Sequence, residues 1–512
     1  MLVFDRVSKR FRSGPQHVDA LVDLSIELDG GQVVGLLGEN GAGKTTLLRI
    51  AAGLVDADGG EVRVFSRELS AHRREIQRRI GWASSDERSF YPRLSARENL
   101  RLFAALHGLD RRASAARIDE LAGVLGLHAI LEKPFQACSS GQRQGLSIVR
   151  ALLHEPDLLL LDEPARSLDA ATRAALASLL RAYAAGGERL VLVAGHEFEG
   201  LTGLLDHTLV LRAGRVVSGA GERATRPAPR SFGTREQRPR PRALASLLAL
   251  ARRDRLLFAS YRWQIGLKAG LLATWILVLY YVSGLVDTSS PKVARFLAGD
   301  YFTFALIGLA FLRLTQVCLV QMASALREEQ LQGTVEPLIA TGEPPIRIVL
   351  GGIVWPLASE LGGLLVVFGL GAALLGVHLP NANVPALVLA AAATVTVNAV
   401  WGVFSAAFVL AFQRGDPVAL LANLATVGLS GAFFPVEMIP GWLRPIADLL
   451  PLRWGLAAVR AAGLEGATFS SPEYRRALFA LGGLGAVLTP LAIVAFGAAI
   501  RHARRTGTLA QS

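Results

Sequence analysis

Two kinds of hydrophobic patterning share this chain of 512 residues. Up to about Ser218, short apolar runs such as "QVVGLL", "DLLLLD" and "RLVLVAG" alternate with charged, helix-periodic stretches. Continuous short runs of this kind predict parallel strands buried on both faces, with helices between them. From about Gly266 the pattern changes. Long apolar runs occupy 266–286, 301–325, 348–376, 384–412, 417–436 and 478–499, and crossing a bilayer takes about 20 residues. These runs lack a polar face over several turns, which argues against a soluble helical core. The expectation is an α/β domain over 1–218, a basic Pro/Arg-rich linker over 219–242, and an all-α membrane domain of six spans over 243–512.

The α/β half carries the chemistry. In "GQVVGLLGENGAGKTTLLRIAAGL" an apolar strand runs into a glycine loop and then a helical pattern, the context of a phosphate loop. Gly38, Gly41 and Gly43, with Glu39, Asn40 and Ala42 between them, let backbone N–H groups curl round a β-phosphate. Lys44 would reach the β- and γ-phosphates and Thr45 would bind Mg²⁺, with Thr46 beside it. The following helix aims its positive end at the same anion. This predicts an α/β P-loop NTPase. In "DLLLLDEPARSLD" Asp162 emerges at the end of a buried strand, where ligands sit in such sheets. It can hold Mg²⁺ through water, and Glu163 beside it is placed to polarise an attacking water. His196 ends a third apolar strand and is expected to contact the γ-phosphate. A second small-residue stretch, "CSSGQ" at 138–142, lies far from the first loop.

In order and spacing, "GENGAGKTT", "CSSGQRQ", "LLLLDEP", "SLD" and "GH" resemble the ATP-binding-cassette (ABC) ATPases over the whole first half. The resemblance implies that Phe11 stacks on adenine and that Asp169 belongs to the D-loop. It also implies that Ser139, Ser140, Gly141 and Gln142 form the signature motif, which touches ATP held by a second copy of the domain. ATP and Mg²⁺ are the implied cofactors. Three positions depart from the family: Cys138 replaces a leucine, Ser140 replaces a glycine, and the Q-loop glutamine is replaced by Ser85. That glutamine normally meets Mg²⁺ and couples the site to the membrane; here Ser85 or Asp86 would substitute.

The second half resembles the membrane domain of type-two ABC exporters, and the ATPase-first order resembles half-transporters. A split ATP site and a single set of spans imply a second copy of the chain, or a similar half-transporter, as partner. The net charge of +12 comes mostly from arginine, much of it beside the first apolar run. Without interleaved aromatics it points to anionic lipid rather than nucleic acid. "ARRDR" before the first run and "RHARR" after the last put the ATPase and both termini on the cytoplasmic side of a bacterial plasma membrane. The N-terminal "MLVFDRVSKRF" has no apolar core, so no signal peptide is expected. The two cysteines, Cys138 and Cys318, offer no disulfide framework.

The loop 326–347 is expected to dock on the ATPase, and the proline-rich segment after the fifth run to form short interfacial helices anchored by Trp442 and Trp454. Charges inside the spans are functional candidates. Arg313 and Glu360 fall at similar depth and are expected to pair, either to neutralise each other or to line a substrate path; Asn398 is a further lining candidate. The leading function is ATP-driven export. Import, and a membrane-anchored ATPase that signals or does mechanical work, are the alternatives.

Overall fold

The computed structural model describes every residue except 14–15, 87, 186, 198–201, 219–242, 287–299, 378, 380, 413–415 and 509–512. The basic linker expected at 219–242 therefore lies outside the described residues. The chain divides into two compact units. One comprises Met1–Arg253, Glu328–Ile348 and Arg501–Ser512; the other comprises Asp254–Arg327 and Val349–Ile500.

The first unit is built on two sheets. Strands β1 (Leu2–Ser13), β2 (Gln16–Leu28), β4 (Gly59–Val64) and β5 (Arg67–Glu68) form an antiparallel sheet in the order β2-β1-β4-β5. The larger sheet has the order β10-β9-β3-β8-β7-β6, from β3 (Gln32–Leu37), β6 (Ile80–Ala83), β7 (Leu158–Asp162), β8 (Leu190–Gly195), β9 (His207–Arg212) and β10 (Arg215–Ser218). All its pairings are parallel except β9 with β10. The apolar runs form its centre, and Leu158–Leu161 are fully buried. Truncating one of these leucines to alanine costs about 2–5 kcal/mol. The parallel arrangement brings the ends of β3, β7 and β8 to one edge, where Lys44, Asp162 and His196 follow.

The segment Glu328–Ile348 folds with this ATPase-like unit, as expected for the 326–347 loop. Its helix Val335–Ala340 is buried throughout. Gly342, at φ 74°, is so close to the Arg74 carbonyl that a Cβ would lie 2.7 Å from it. A buried polar cluster anchors the segment. Arg253 Nη1 donates to Tyr91 Oη at 2.6 Å and to Glu329 Oε1 at 2.5 Å, and Tyr91 Oη donates to Glu329 Oε2 at 2.8 Å. Thr334 donates to the same carboxylate.

The second unit is helical. Among the described residues, five helices are long and apolar enough to cross a membrane: Ile265–Ser283, Tyr301–Leu331, Pro345–Leu374, Val384–Phe412 and Pro472–Thr506. The fifth run, read from the sequence as a span over 417–436, instead forms the shorter helix Asp416–Leu429. The chain leaves the helix at Ser430 and Gly431, the latter at φ 81°. The carbonyls freed by this turn are met by Arg460, which donates to Gly431 O and Ala432 O at 2.8 Å each and to Phe304 O at 3.1 Å. Arg460 lies on the second of two short helices, Arg444–Asp448 and Pro451–Gly463, in the segment for which a pair of short helices is expected. Trp442 is exposed there, whereas Trp454 is half-buried and donates to Asp448 O at 2.8 Å. Arg313 and Glu360 form the expected ion pair. Asn398 is buried, and its amide donates to Thr394 O on its own helix at 2.9 Å.

Candidate functional site

The phosphate loop sits between β3 and the helix Lys44–Ala51. Close packing explains two of its glycines. A Cβ at Gly38 would lie 2.4 Å from Leu211 O, and one at Gly43, where φ is 103°, would lie 2.3 Å from Ala20 O. Ala42 is buried, while Glu39, Asn40 and Gly41 are exposed at the loop's rim and Thr46 is half-buried. Lys44 is buried, and its ammonium curls back to donate to Gly38 O at 2.6 Å and Glu39 O at 2.9 Å. The loop is thus closed around a cation with nearby backbone N–H groups, a geometry suited to phosphate.

Asp162 is where β7 delivers it. Its Oδ2 accepts from Thr45 Oγ1 at 2.9 Å and from Ser85 Oγ at 3.3 Å. Burial pushes its carboxyl above the usual carboxylate range, opposed by the bond from Thr45; neighbouring Glu163 adds to the rise, and Arg49 counters it. Asp86, in contrast, is turned to Arg88, accepting from its backbone N–H at 2.9 Å and its Nε at 3.2 Å. Of the two replacements considered for the glutamine, Ser85 is the one hydrogen-bonded at Asp162. Thr45, Asp162 and Ser85 form a small all-oxygen set. Such a set fits Mg²⁺, which is held by one or two carboxylates and completes its shell with water and phosphate.

Glu163 has φ 47°, a left-handed backbone that costs a non-glycine residue energy and is often found where function requires it. Its N–H donates to Ala194 O at 2.9 Å, tying it to β8. Its carboxylate lies 3.5 Å from His196 Nδ1 and 3.4 Å from Arg166 Nη1. The structure therefore brings together Glu163 and His196, which come from different strands.

The "CSSGQ" stretch caps the helix Ser140–Leu152. Ser139 Oγ accepts from Gln142 N at 3.3 Å, and Gln142 Oε1 accepts from Ser139 N at 3.0 Å, a reciprocal capping box. Ser139 and Ser140 are exposed. A Cβ at Gly141 would lie 2.5 Å from Ser167 O, so this glycine allows the helix to approach the loop that ends at Asp169. Asp169 in turn caps the helix Ala170–Ala184, accepting from Thr172 N at 2.7 Å. That bond holds its carboxyl below the usual range.

Phe11 pairs with Val18 across β1 and β2. Its ring packs on the C-terminal segment, where a Cβ at Gly507 would lie 2.6 Å from Cε1. Lys9 beside it donates to Asp58 Oδ1 at 2.8 Å and to Arg505 O at 2.6 Å.

Several residues escaped the sequence reading. Arg150, on the signature helix, is buried between Phe90 and Phe103 with its guanidinium 4.5 and 5.0 Å from their centroids, and burial pushes its pKa down to about 9. Arg49, on the phosphate-loop helix, forms an ion pair with Glu336 at 2.9 Å. An arginine inside an otherwise apolar helical stretch was the one signal available for both.

Comparison with known proteins gives a consistent picture. A family model described as ABC transporter matches residues 21–166, and one described as ABC-2 type transporter matches residues 245–464. The ABC transporter ATP-binding protein NatA of Bacillus subtilis is 34% identical over 217 residues, covering 42% of this chain and 88% of NatA. The bacitracin transport ATP-binding protein BcrA of Bacillus licheniformis is 34% identical over 194 residues, covering 38% of this chain and 62% of BcrA. The chain spans about three fifths of that relative and of others it matches. Among solved structures, a dimeric post-hydrolysis state of the ATP-binding cassette MJ0796 bound to ADP and Pi is 23% identical, with a TM-score of 0.40 over 43% of this chain and 97% of that one.

Proposed function

The chain belongs to the ABC transporter family, joining an ATP-hydrolysing cassette to an ABC-2 type membrane domain, and on that footing we propose that it is an exporter working as a dimer. The observation that carries this reading is the union, in one polypeptide, of an ATP site with an ABC-2 type domain of long apolar helices. We place the ATPase at 1–218, the joint at 219–242 and the membrane domain at 243–512, with Glu328–Ile348 and residues 501–508 packing back on the ATPase. The membrane is the bacterial plasma membrane, and the arginine clusters favour the ATPase and both termini in the cytoplasm, which requires the short helix Asp416–Leu429 to complete a sixth crossing.

In this reading the loop Gly38–Thr46 cradles the triphosphate, Lys44 neutralises its β- and γ-oxygens, and Phe11 stacks on the adenine. Thr45 and Asp162, aided by Ser85, would hold Mg²⁺, which supplies charge neutralisation on the phosphates. Glu163 orients the attacking water and His196 contacts the γ-phosphate. Ser139, Ser140, Gly141 and Gln142 present a helix N-terminus to the ATP of the partner, either a second copy or a similar half-transporter. Asp169, at the D-loop, adjoins that junction.

The cargo is an amphipathic, lipid-like, glycan or drug-like molecule. Support comes from the apolar spans, from the paired charges Arg313 and Glu360, and from BcrA, whose name refers to bacitracin transport. The test is transport by purified protein in liposomes, with a fluorescent phospholipid, a cationic amphiphilic dye and bacitracin as probes. ATP-dependent movement with stimulated hydrolysis is expected for at least one probe class. Hydrolysis indifferent to all of them supports an ATPase with a signalling or mechanical role.

A further inference from the structure

The glutamine missing from the loop after β6 leaves half of its work undone. A glutamine there has to reach the metal site at one end and answer to the membrane domain at the other. Ser85 occupies the first end, with its hydroxyl on Asp162 at 3.3 Å. Its side chain is too short to serve the second. The structure places a different pair of residues across that gap.

Arg49 lies four residues after Thr45 on the phosphate-loop helix Lys44–Ala51, so it sits one turn along the same face. Its guanidinium is 2.9 Å from Glu336 Oε1, and the two side chains are 24% and 8% exposed. Glu336 lies in the first turn of the helix Val335–Ala340. That helix belongs to the segment joining the second and third long apolar helices, which are continuous with it in sequence. Burial raises the carboxyl of Glu336, and Arg49 counters that rise, so a cation on the phosphate-loop helix is the counter-charge of an acid in the loop between the spans. Gly333 in that loop holds it close: a Cβ there would lie 3.1 Å from Asp86 Oδ2. Any motion of the Lys44–Ala51 helix on nucleotide binding must be followed by Glu336 or break a largely buried ion pair.

We infer that Arg49 and Glu336 are positioning residues that carry the coupling normally assigned to the absent glutamine, linking the phosphate-loop helix to the loop between the second and third spans. The inference rests on the transport reading above. Neither residue touches the reacting atoms. Docking of the loop has its own support in the Tyr91–Arg253–Glu329 cluster, so the pair is free to act as a relay rather than as the main anchor.

The experiment uses the full chain in lipid nanodiscs with an environment-sensitive fluorophore on Trp442→Cys; Trp442 is 75% exposed, and both native cysteines are buried. ATP is expected to shift the emission of the otherwise unaltered protein. Glu336→Gln keeps the shape and removes the charge. It should retain ATP binding and turnover while the ATP-dependent shift falls by about fivefold or more, the scale of an allosteric coupling. Glu336→Asp should lose less, and Arg49→Glu with Glu336→Arg should recover part of the shift. A full shift in Glu336→Gln, or equal losses in the Gln and Asp variants, overturns the relay alone. Absence of any ATP-dependent shift in the labelled parent, with turnover intact, overturns the transport reading and the relay with it.

Discussion

Removing Arg253 should release the segment Glu328–Ile348 from the ATPase unit. Arg253 and Glu329 have side chains 5% and 10% exposed, with 2.5 Å between Nη1 and Oε1. The Arg253 guanidinium also lies 4.8 Å from the Tyr91 ring centroid. Burial keeps the Tyr91 phenol well above its ordinary pKa, so it stays protonated and donates to Glu329. Arg253→Ala leaves a buried carboxylate without its counter-charge. Breaking one side of such a pair costs about 3–5 kcal/mol. If that cost falls on local opening of the segment, amide protection there drops by roughly a hundredfold or more. Hydrogen–deuterium exchange read by mass spectrometry over 328–348 measures it, with β7 peptides as the internal reference. The combined replacement Arg253→Met, Glu329→Leu and Tyr91→Phe removes all three polar groups together and should restore most of the protection, because nothing charged is left stranded. Exchange in Arg253→Ala indistinguishable from the parent protein, or a triple replacement as mobile as the single one, refutes the reasoning.

Three further outcomes follow from the geometry. Glu163→Gln should cut ATP turnover by about a hundredfold or more while nucleotide stays bound, because the water loses its orienting carboxylate; phosphate release and chromatography of bound nucleotide check both halves. Gly141→Ala pushes a Cβ to within 2.5 Å of Ser167 O, so the signature helix must shift; turnover should fall about tenfold with the ATP dissociation constant unchanged, a loss confined to the catalytic step. Arg460→Ala strips donors from the carbonyls of Phe304, Gly431 and Ala432 and should lower the thermal midpoint in detergent. Arg460→Lys should recover little of it, since one ammonium cannot reproduce the spread of a planar guanidinium.

The parts of the fold legible in the sequence were those written locally. The run into Gly38–Lys44, the four leucines before Asp162 and the apolar strand before His196 each specify their own element, and parallel pairing brings their ends together. The reciprocal cap of Ser139 and Gln142 is likewise encoded within four consecutive residues. What composition could not show was where an apolar run stops being a helix. The fifth run breaks at Ser430–Gly431, and the arginine that satisfies the break is 29 positions away. Long-range polar contacts were equally hidden: Tyr91 and Glu329 are 238 positions apart. The docking of the 326–347 loop was anticipated from its polarity, but the residues that hold it were not. The adenine contact expected of Phe11 came from family resemblance alone, and nothing local announced that Gly507 packs on its ring.

The claim on which the rest depends is that an ATP site is completed by a second protomer. Mixing two inactive variants tests it most directly. Lys44→Ala destroys a protomer's own phosphate loop, and Gly141→Asp destroys what it offers to its neighbour; each alone should be inactive. In a mixed dimer one site carries both lesions and the other carries none. Random pairing should therefore restore about one quarter of the parent turnover, since half the dimers are mixed and each keeps one intact site of two. Mixtures that stay as inactive as the separate variants, although paired, would contradict the account.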